Sequence, residues 1–371
     1  MKLDPSYAAS PGFHTLSIAP YATAQALGLF IVLSLFVLGL TKLFSDTGTR
    51  WFVVGMSIVG VALALTGMAQ KAVGREFGYG VWEPSAGGAL FGPFINRNHF
   101  AGWLLMALPL PLALFCARVA SGLQYVGRTF RERFLWASSD EANGLVIAAA
   151  AIAAMSMALV LTLSRSGMSA LSLTIVLTTL VATQTIEGHR KQVFLVVSLL
   201  LLVVFVGAWV GRDAIASRMS PEQWAGFGGR LRAWKVAWTL VRQFPLVGTG
   251  LNTFGYASLF HWPYEVDGRL NQAHSDYFQL ASEGGLLLLV PAAFLVATLA
   301  VSIVRRFRED ERNSFTWWIR AGAVMGLVSM ALQETVEFSL QMPGNAVLFA
   351  ALCALALHHP SARPRMDDAQ S

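Results

Sequence analysis

Long apolar runs separated by short polar segments dominate the chain, and this pattern predicts a bundle of transmembrane helices. A helix needs about 20 mostly apolar residues to cross the hydrocarbon core of a bilayer. Nine runs meet or approach that length: 21–43, 51–70, 98–117, 143–163, 166–186, 193–210, 283–304, 316–336 and 344–358. We therefore expect an all-α polytopic membrane protein with about nine transmembrane helices.

Composition supports this interpretation. Of the 371 residues, 55% are hydrophobic and only 13% are charged, which is too little charge to cover a soluble surface. We expect one membrane domain, residues 1–371, since no linker or repeat divides it. Cys116 and Cys353 lie in apolar runs and give no disulfide or metal framework. Residues 1–20 lack the pattern of a cleaved signal peptide.

Basic residues in the connections predict the orientation, because cytoplasmic loops carry an excess of Lys and Arg. One set of connections holds 14 basic residues: Lys42, Arg50, Arg118, Arg128, Arg131, Arg133, Arg190, Lys191, Arg305, Arg306, Arg308, Arg312, Arg363 and Arg365. The opposite set, without the 211–282 loop, holds 5: Lys2, Lys71, Arg75, Arg97 and Arg165. The first set is expected to face the cytoplasm. The net charge of +6 then reflects topology and anionic lipids and does not indicate nucleic-acid binding.

The 211–282 segment is the one sizeable connection, and it is expected on the outer side as a lid against the membrane. Within it, the pattern predicts a helix from about Arg230 to Gln243, since two glycines precede it and Pro245 follows. The apolar residues Trp234, Ala237, Trp238 and Val241 share one face of that helix. An amphipathic helix with two tryptophans and basic flanks is typical of a membrane interface.

Arg165 is the only charged residue between Asn143 and Ile186. It lies between Ser164 and Ser166 at the outer end of a predicted span. It could reach lipid headgroups from a tight turn between helices. Ionisable groups at such depth more often face a cavity or a ligand, and we favour that interpretation.

Two further groups carry candidate chemistry around the outer loop. Arg230 is expected at a helix N-terminus, where amides and a guanidinium suit a phosphate, although it could equally be a surface cation near lipid. His274 precedes a span beside Asp276 and could act as a general base. It could instead be a polar residue at a helix start, where Ser275 and Asp276 are suitable N-caps.

The mouth of the third predicted span is crowded with polar side chains. Asn96, Arg97, Asn98 and His99 could hold a sugar or a phosphate, or Asn98 could simply cap the helix. Glu334 and Glu337 lie near the outer end of the eighth span, where a carboxylate could counter an arginine or bind an acceptor hydroxyl. We expect substrate contacts from six residues: Arg97, Asn98, His99, Trp234, Asp276 and Glu337.

Three motifs, in this order and spacing, carry a family resemblance: "LTLSRSGMSAL", "GGRLRAWKVAW…FPLVGTGLNTFG" and "AHSDYFQLASEGG". They resemble the O-antigen ligase and O-antigen polymerase superfamily of bacterial membrane glycosyltransferases, and "FINRNHFAGWL" is similar to members from exopolysaccharide loci. The resemblance covers about residues 91–343. Members often have about a dozen spans, three more than expected here. The modest size of the outer loop slightly favours polymerase-like or other glycan transfer over a ligase.

The resemblance implies a GT-C-like glycosyltransferase of the bacterial inner membrane with its active site facing the periplasm. Such an enzyme passes a glycan from an undecaprenyl-pyrophosphate carrier to a hydroxyl of another glycan or of lipid A-core, with inversion and without a metal or other cofactor. By motif, Arg165 and Arg230 would hold the pyrophosphate, and His274 would deprotonate the acceptor. Guanidinium groups in a low-dielectric site can stabilise the charge of a leaving diphosphate.

Three other functions are alternatives. A transporter of lipid-linked glycans or small molecules would use similar outer loops, but the sequence lacks two related halves. A metal-dependent glycosyltransferase would need more acids than the Glu265–Asp267 pair. A Ser/His hydrolase using Ser164 or Ser166 with His274 would lack a nucleophile-elbow context.

Overall fold

A computed structural model describes residues 15–44, 46–73, 90–122, 139–185, 225–261, 270–312 and 314–359. These residues are helical, with no strand among them beyond an isolated bridge between Phe91 and Phe94. The α-helices are α1 (Pro20–Leu43), α2 (Asp46–Val73), α3 (Arg97–Ala107), α4 (Pro109–Gly122), α5 (Asp140–Leu161), α6 (Arg165–Thr185), α7 (Ala225–Gln243), α8 (Phe254–Ala257), α9 (Asp276–Glu309), α10 (Phe315–Gln333) and α11 (Pro343–Leu357). Short 3-10 helices cover Ser258–Phe260 and Ser339–Gln341.

Six helical segments among the described residues are long and apolar enough to cross a membrane: Pro20–Leu43, Gly48–Val73, Arg97–Ser121, Ala142–Leu161, Asp276–Glu309 and Phe315–Gln333. The predicted all-helical architecture is therefore confirmed for the described residues, with six candidate membrane spans among them. The predicted spans at 166–186 and 344–358 correspond to shorter apolar stretches, Arg165–Leu177 and Pro343–Leu357. The predicted span at 193–210 lies outside the described residues, so the count of nine stays a prediction.

The chain divides into two compact units, and each is described by itself. Unit 1 contains Met1–Ile31 and Gly229–Phe294, and unit 2 contains Val32–Gly228 and Leu295–Ser371. Unit 1 has a small core built on the buried residues Val236, Ala237, Leu240, Phe254, Ala257 and Ala273. The predicted single domain and the boundaries of the 211–282 lid stay predictions.

Unit 2 is a helix bundle with α3 and α4 at its centre, where nearly every side chain from Phe100 to Ala117 is buried. The two helices are separated at Leu108, because Pro109 has no amide hydrogen to continue the ladder. Helix α10 approaches them closely through Gly322 and Gly326. A Cβ at Gly326 would stand 3.0 Å from the Met106 carbonyl oxygen. Small residues four positions apart allow such close packing in membranes.

One end of the unit 2 bundle is held by a buried ion pair between Arg320 and Asp310, with an N–O distance of 2.7 Å. Arg320 also donates to the carbonyl oxygens of Ala356 and His358, so each of the three side-chain nitrogens of this buried cation donates to an acceptor. The opposite ends of α10 and α11 carry Gln333 and Pro343. The candidate residues of unit 2 lie at that second end.

Candidate active site

Arg165 is the first residue of α6 and follows a tight turn after α5. Leu163 has a left-handed φ of 54°, which reverses the chain within three residues. Ser164 caps α6, because its Oγ accepts from the Gly167 amide at 3.3 Å. The Thr162 hydroxyl accepts from the Ser164 amide at 3.1 Å. The predicted turn is confirmed, and the partly buried guanidinium of Arg165 starts at the positive end of a helix.

Glu337 links that turn to the start of α3. Its Oε1 accepts from Asn98 Nδ2 at 2.8 Å and from the Ser166 hydroxyl at 3.3 Å. The carboxylate is buried, with 1% of its residue surface exposed. The N-cap of α3 is Asn96, whose side chain accepts from the Asn98 amide at 2.9 Å. Asn98 therefore does not cap the helix, and its side chain is used on Glu337 instead.

Buried amides fix the rest of this group, which we call the bundle-end cluster (Asn98, His99, Ser164, Arg165, Ser166 and Glu337). Gln333 Nε2 donates to the Asn98 carbonyl at 2.9 Å, and Asn345 Nδ2 donates to the His99 carbonyl at 3.0 Å. The His99 ring is buried and makes a T-shaped contact with the Phe338 ring, with 4.7 Å between the ring centroids. Arg97 is the first residue of α3. Sequence reasoning did not identify Gln333 or Asn345, since their partners lie more than 200 residues away.

In unit 1, helix α9 is interrupted at Gly285, and a neighbouring loop supplies hydrogen-bond partners for its backbone. Gly285 has φ 52° and ψ −157°, which no helix contains. The amides of Leu286 and Leu287 then donate to carbonyls of the 245–246 segment at 2.9 and 2.8 Å. The Gly250 amide donates to the Glu283 carbonyl at 2.8 Å. A Cβ at Gly248 would lie 2.2 Å from that carbonyl, so the "PLVGTG" loop needs glycine there.

The Glu283 carboxylate organises the next turn of the same loop. It accepts from the backbone amides of Asn252, Thr253 and Phe254 at 2.7, 3.1 and 2.9 Å. Gln279 Nε2 adds a fourth donor at 3.2 Å. Glu283 is buried, so these four donors replace the water that a carboxylate needs. The sequence placed Glu283 in a motif without showing this role, because its backbone partners lie 29 to 31 residues upstream.

Hydrogen bonds to the backbone of Ala273 and His274 fix the position of this segment. The Ala273 amide donates to Gln279 Oε1 at 3.0 Å, and Trp234 Nε1 donates to the His274 carbonyl at 3.3 Å. Trp234 stacks on Phe278 at 5.7 Å. His274 has a left-handed φ of 52°, an uncommon conformation for a residue with a side chain. We call Arg230, Trp234, His274, Gln279 and Glu283 the His274 cluster.

Burial, and to a smaller extent the nearby positive charge of Arg230, together lower the pKa of His274 from 6.5 to about 4. The imidazole is therefore neutral at physiological pH and able to accept a proton. A neutral base close to a fixed cation is an arrangement suited to deprotonating a hydroxyl beside an anionic group.

Helix α7 differs from its prediction in two respects. It begins at Ala225, so Arg230 lies in its second turn and its own amide is not one of the unpaired first-turn donors. The helix face is also split: Ala237 is buried in the core of unit 1, whereas Trp238 is 55% exposed. The prediction failed because the helix continues through two glycines, and because the buried stripe is Ala233, Val236, Ala237 and Leu240.

The residues at the start of α9 take the positions that the sequence indicated. Ser275 is the capping residue, since its hydroxyl accepts from the Phe278 amide at 3.4 Å. Asp276 is the first helical residue, where a negative charge is favourable. Among the described residues, no three His, Cys, Asp or Glu side chains form a group that could hold a metal ion. The Glu265–Asp267 pair lies outside the described residues.

The candidate residues thus fall into two groups. Arg97, Asn98, His99, Arg165 and Glu337 belong to unit 2. Arg230, Trp234, His274 and Asp276 belong to unit 1.

Comparison with known proteins adds one finding. Residues 150–293 match a family model described as O-Antigen ligase. This range contains Arg165, Arg230 and His274, together with the loop that Glu283 organises. No curated protein and no solved structure matches the chain.

Proposed function

Since residues 150–293 place the chain in the O-antigen ligase and polymerase superfamily, we propose that it transfers or polymerises a glycan from an undecaprenyl-pyrophosphate carrier. The acceptor is a hydroxyl of a second glycan or of lipid A-core, and the product belongs to a bacterial surface polysaccharide, O-antigen or exopolysaccharide. The protein then works in the inner membrane with its active site toward the periplasm. The six described candidate spans are consistent with that location.

The reaction is one inverting displacement. The acceptor oxygen attacks the anomeric carbon, and the bond from that carbon to the diphosphate oxygen breaks. The acceptor proton passes to the His274 imidazole, and the electron pair of the broken bond leaves with the diphosphate. The observation that carries the proposal is the His274 cluster, in which Trp234 and Gln279 position the segment that carries His274 near the charge of Arg230. General acid–base catalysis by a positioned side chain typically contributes about 10²- to 10⁴-fold in rate.

Arg165 and Arg230 are proposed to bind the diphosphate and to stabilise its growing charge. Arg165 begins α6 after the Ser164 cap, so its guanidinium starts from the end of the helix that favours anions. Arginine presents several donors in a fixed plane that matches phosphate oxygens. These cations would perform the charge stabilisation that a metal performs elsewhere, and this supports a metal-independent mechanism.

The other substrate contacts are proposed at the two clusters. Asn98 and Glu337 form a partly buried hydrogen-bonded pair that Arg97 and His99 flank in sequence at the start of α3. Such a pre-arranged polar surface suits sugar hydroxyls, because its own groups are already positioned. Trp234 donates to the His274 carbonyl and Asp276 follows His274 by two residues, and both are proposed to contact the acceptor.

Helix α7 is proposed to lie against the bilayer. Leu231 and Trp238 are 44% and 55% exposed, and the exposed basic residues Arg232, Lys235 and Arg242 lie on the same helix. Exposed tryptophan beside basic residues is typical of helices at the membrane interface. In that position α7 would hold Arg230 and Trp234 at the depth of a lipid-linked diphosphate.

Deleting the gene tests this proposal. The polysaccharide of the deleted strain should become shorter or lose its attachment, and lipid-linked glycan should accumulate. Wild-type protein should restore the polymer, whereas a stably produced His274→Ala variant should not. Unchanged polymer length and attachment in the deleted strain would refute the proposed function. Loss of purified activity on chelation, restored by a divalent cation, would refute its metal-independent mechanism.

A further inference from the structure

A cleft of about 400 Å³ lies within unit 1, beside the segment that leads to His274. Its polar and aromatic lining consists of Tyr21, Gln25, Asn252, Tyr256, Asn271 and Gln272. The volume is within the range of small-ligand sites. The pattern of residues does not indicate this cleft, because its walls come from segments that lie far apart in the chain.

Three segments that are connected by hydrogen bonds form the walls, so the cleft is a fixed part of the fold. The start of α1 is tied to the 249–251 loop by the Ile18 amide on the Thr249 carbonyl at 3.0 Å and by the Thr23 hydroxyl on the Leu251 carbonyl at 2.9 Å. The Asn252 amide is held by Glu283 at 2.7 Å. Walls fixed by hydrogen bonds lose little freedom when a ligand binds.

The third wall is held equally firmly. The Ser258 hydroxyl donates to the Leu270 carbonyl at 2.9 Å, which places the 271–272 segment against the loop. A Cβ at Gly255 would lie 3.3 Å from the Asn271 carbonyl oxygen, so the loop and the 271–272 segment approach each other closely at this point. The segment continues directly into Ala273 and His274, whose backbone Gln279 and Trp234 position.

The chemistry of the lining selects the ligand class. None of the described residues that line the cleft is charged, so it does not suit a diphosphate. Four amide side chains offer both donors and acceptors, which matches the hydroxyls of a sugar. Tyr21 and Tyr256 are 77% and 51% exposed and present aromatic faces with a polar edge.

We propose that this cleft binds neutral sugar residues of the glycan substrate, next to the segment that carries His274. The inference rests on the proposed function and adds a saccharide subsite to it. The sugar could belong to the lipid-linked donor or to the acceptor, since both present the same hydroxyl chemistry.

Binding is tested on the full chain in lipid nanodiscs. The probe is a glycan fragment released by partial acid hydrolysis from the polysaccharide of the cell that expresses the protein, and saturation-transfer NMR reports its contact. Wild-type protein should bind the fragment, and Tyr256→Ala and Asn271→Ala should weaken binding at least about tenfold, because each leaves sugar hydroxyls without partners. Phe260→Ala changes an exposed aromatic residue outside the cleft and should bind as the wild type does.

Kinetics with the lipid-linked donor separates the two sources. The same cleft variants should raise KM about tenfold with little change in kcat, for the donor or for the acceptor, according to which sugar the cleft holds. Gln25→Ala alters an exposed side chain of α1 and repeats the test if the loop variants are not produced. Binding and KM unchanged in all cleft variants would overturn the cleft proposal while leaving the transferase intact.

A different result would affect the proposed function alone. If wild-type protein makes no glycosidic product, the transferase proposal fails, yet selective binding of the fragment would still support the cleft. Failure of wild-type protein to bind the fragment would overturn the subsite.

Discussion

Replacing Arg230 with glutamine should raise the pKa of His274. Burial is the larger cause of its low value and Arg230 the smaller, so removing the guanidinium leaves the effect of burial in place. The pKa should therefore increase from about 4 but stay below 6.5, the value for an exposed histidine. The increase is bounded between zero and about 2.5 pH units.

The low pKa also makes stability depend on pH. Between pH 6.5 and about 4 the unfolded chain binds a proton at position 274 that the folded chain does not. The free energy of unfolding therefore falls as the pH decreases through this range, by at most about 3 kcal/mol in total. Arg230→Gln should raise the lower limit of this pH range, because it raises the pKa of folded His274. His274→Gln should remove the contribution of His274 to the pH dependence of stability.

The assay is a pH titration of imidazole carbon shifts in full-length protein labelled at histidine. The chain has 7 histidines, and a His274→Gln sample identifies the signal of interest. Arg232→Gln is the matched control, because Arg232 is an exposed residue of the same helix that does not contribute to the shift. A His274 pKa that is unchanged in Arg230→Gln, or equal to that of an exposed histidine, would refute this account of the site.

Three further predictions follow from the local geometry. Gly248→Ala should lower the free energy of unfolding by about 2 kcal/mol or more, because the φ of 66° and the Glu283 carbonyl both oppose a Cβ at this position. The control is Gly229→Ala, whose Cβ would meet nothing within 4 Å and which should be neutral or slightly stabilising. Thermal unfolding in detergent compares the two variants. Gln279→Leu should reduce kcat more than tenfold with a small change in KM, because Gln279 positions the Ala273 amide and the Glu283 carboxylate. Single-turnover transfer measures the rate, and a rate equal to that of the wild type would contradict this positioning role. Asn98→Leu should destabilise the bundle by about 2 kcal/mol in the same unfolding assay, since the buried Glu337 loses a donor, and unchanged stability would show that the bond contributes nothing.

The spans could be predicted because a run of apolar residues reports its environment locally. Arg165 could be singled out for the same reason, as one charge inside such a run. The turn at Ser164 and the cap at Ser275 are also local features, and both lie where short-range patterns indicated them.

Contacts that close over long stretches of chain could not be predicted. From the sequence, Asn98 could be a helix cap. In the structure its side chain donates to Glu337, which lies 239 positions away in the chain. The start of α7 was missed because glycines favour an end to a helix, yet packing of Ala233 and Ala237 outweighs that preference. The role of Glu283 depends on three amides of a loop whose course the periodicity of apolar residues does not report.

The most direct measurement of the central claim is single-turnover transfer by purified, full-length protein supplied with undecaprenyl-pyrophosphate-linked glycan. Wild-type protein should release undecaprenyl pyrophosphate and form one glycosidic bond for each carrier consumed. His274→Ala should bind the donor as wild type does and transfer at least about 100-fold more slowly, because the general base is lost. Transfer at the wild-type rate by a folded His274→Ala protein would contradict the assignment of His274 as the base.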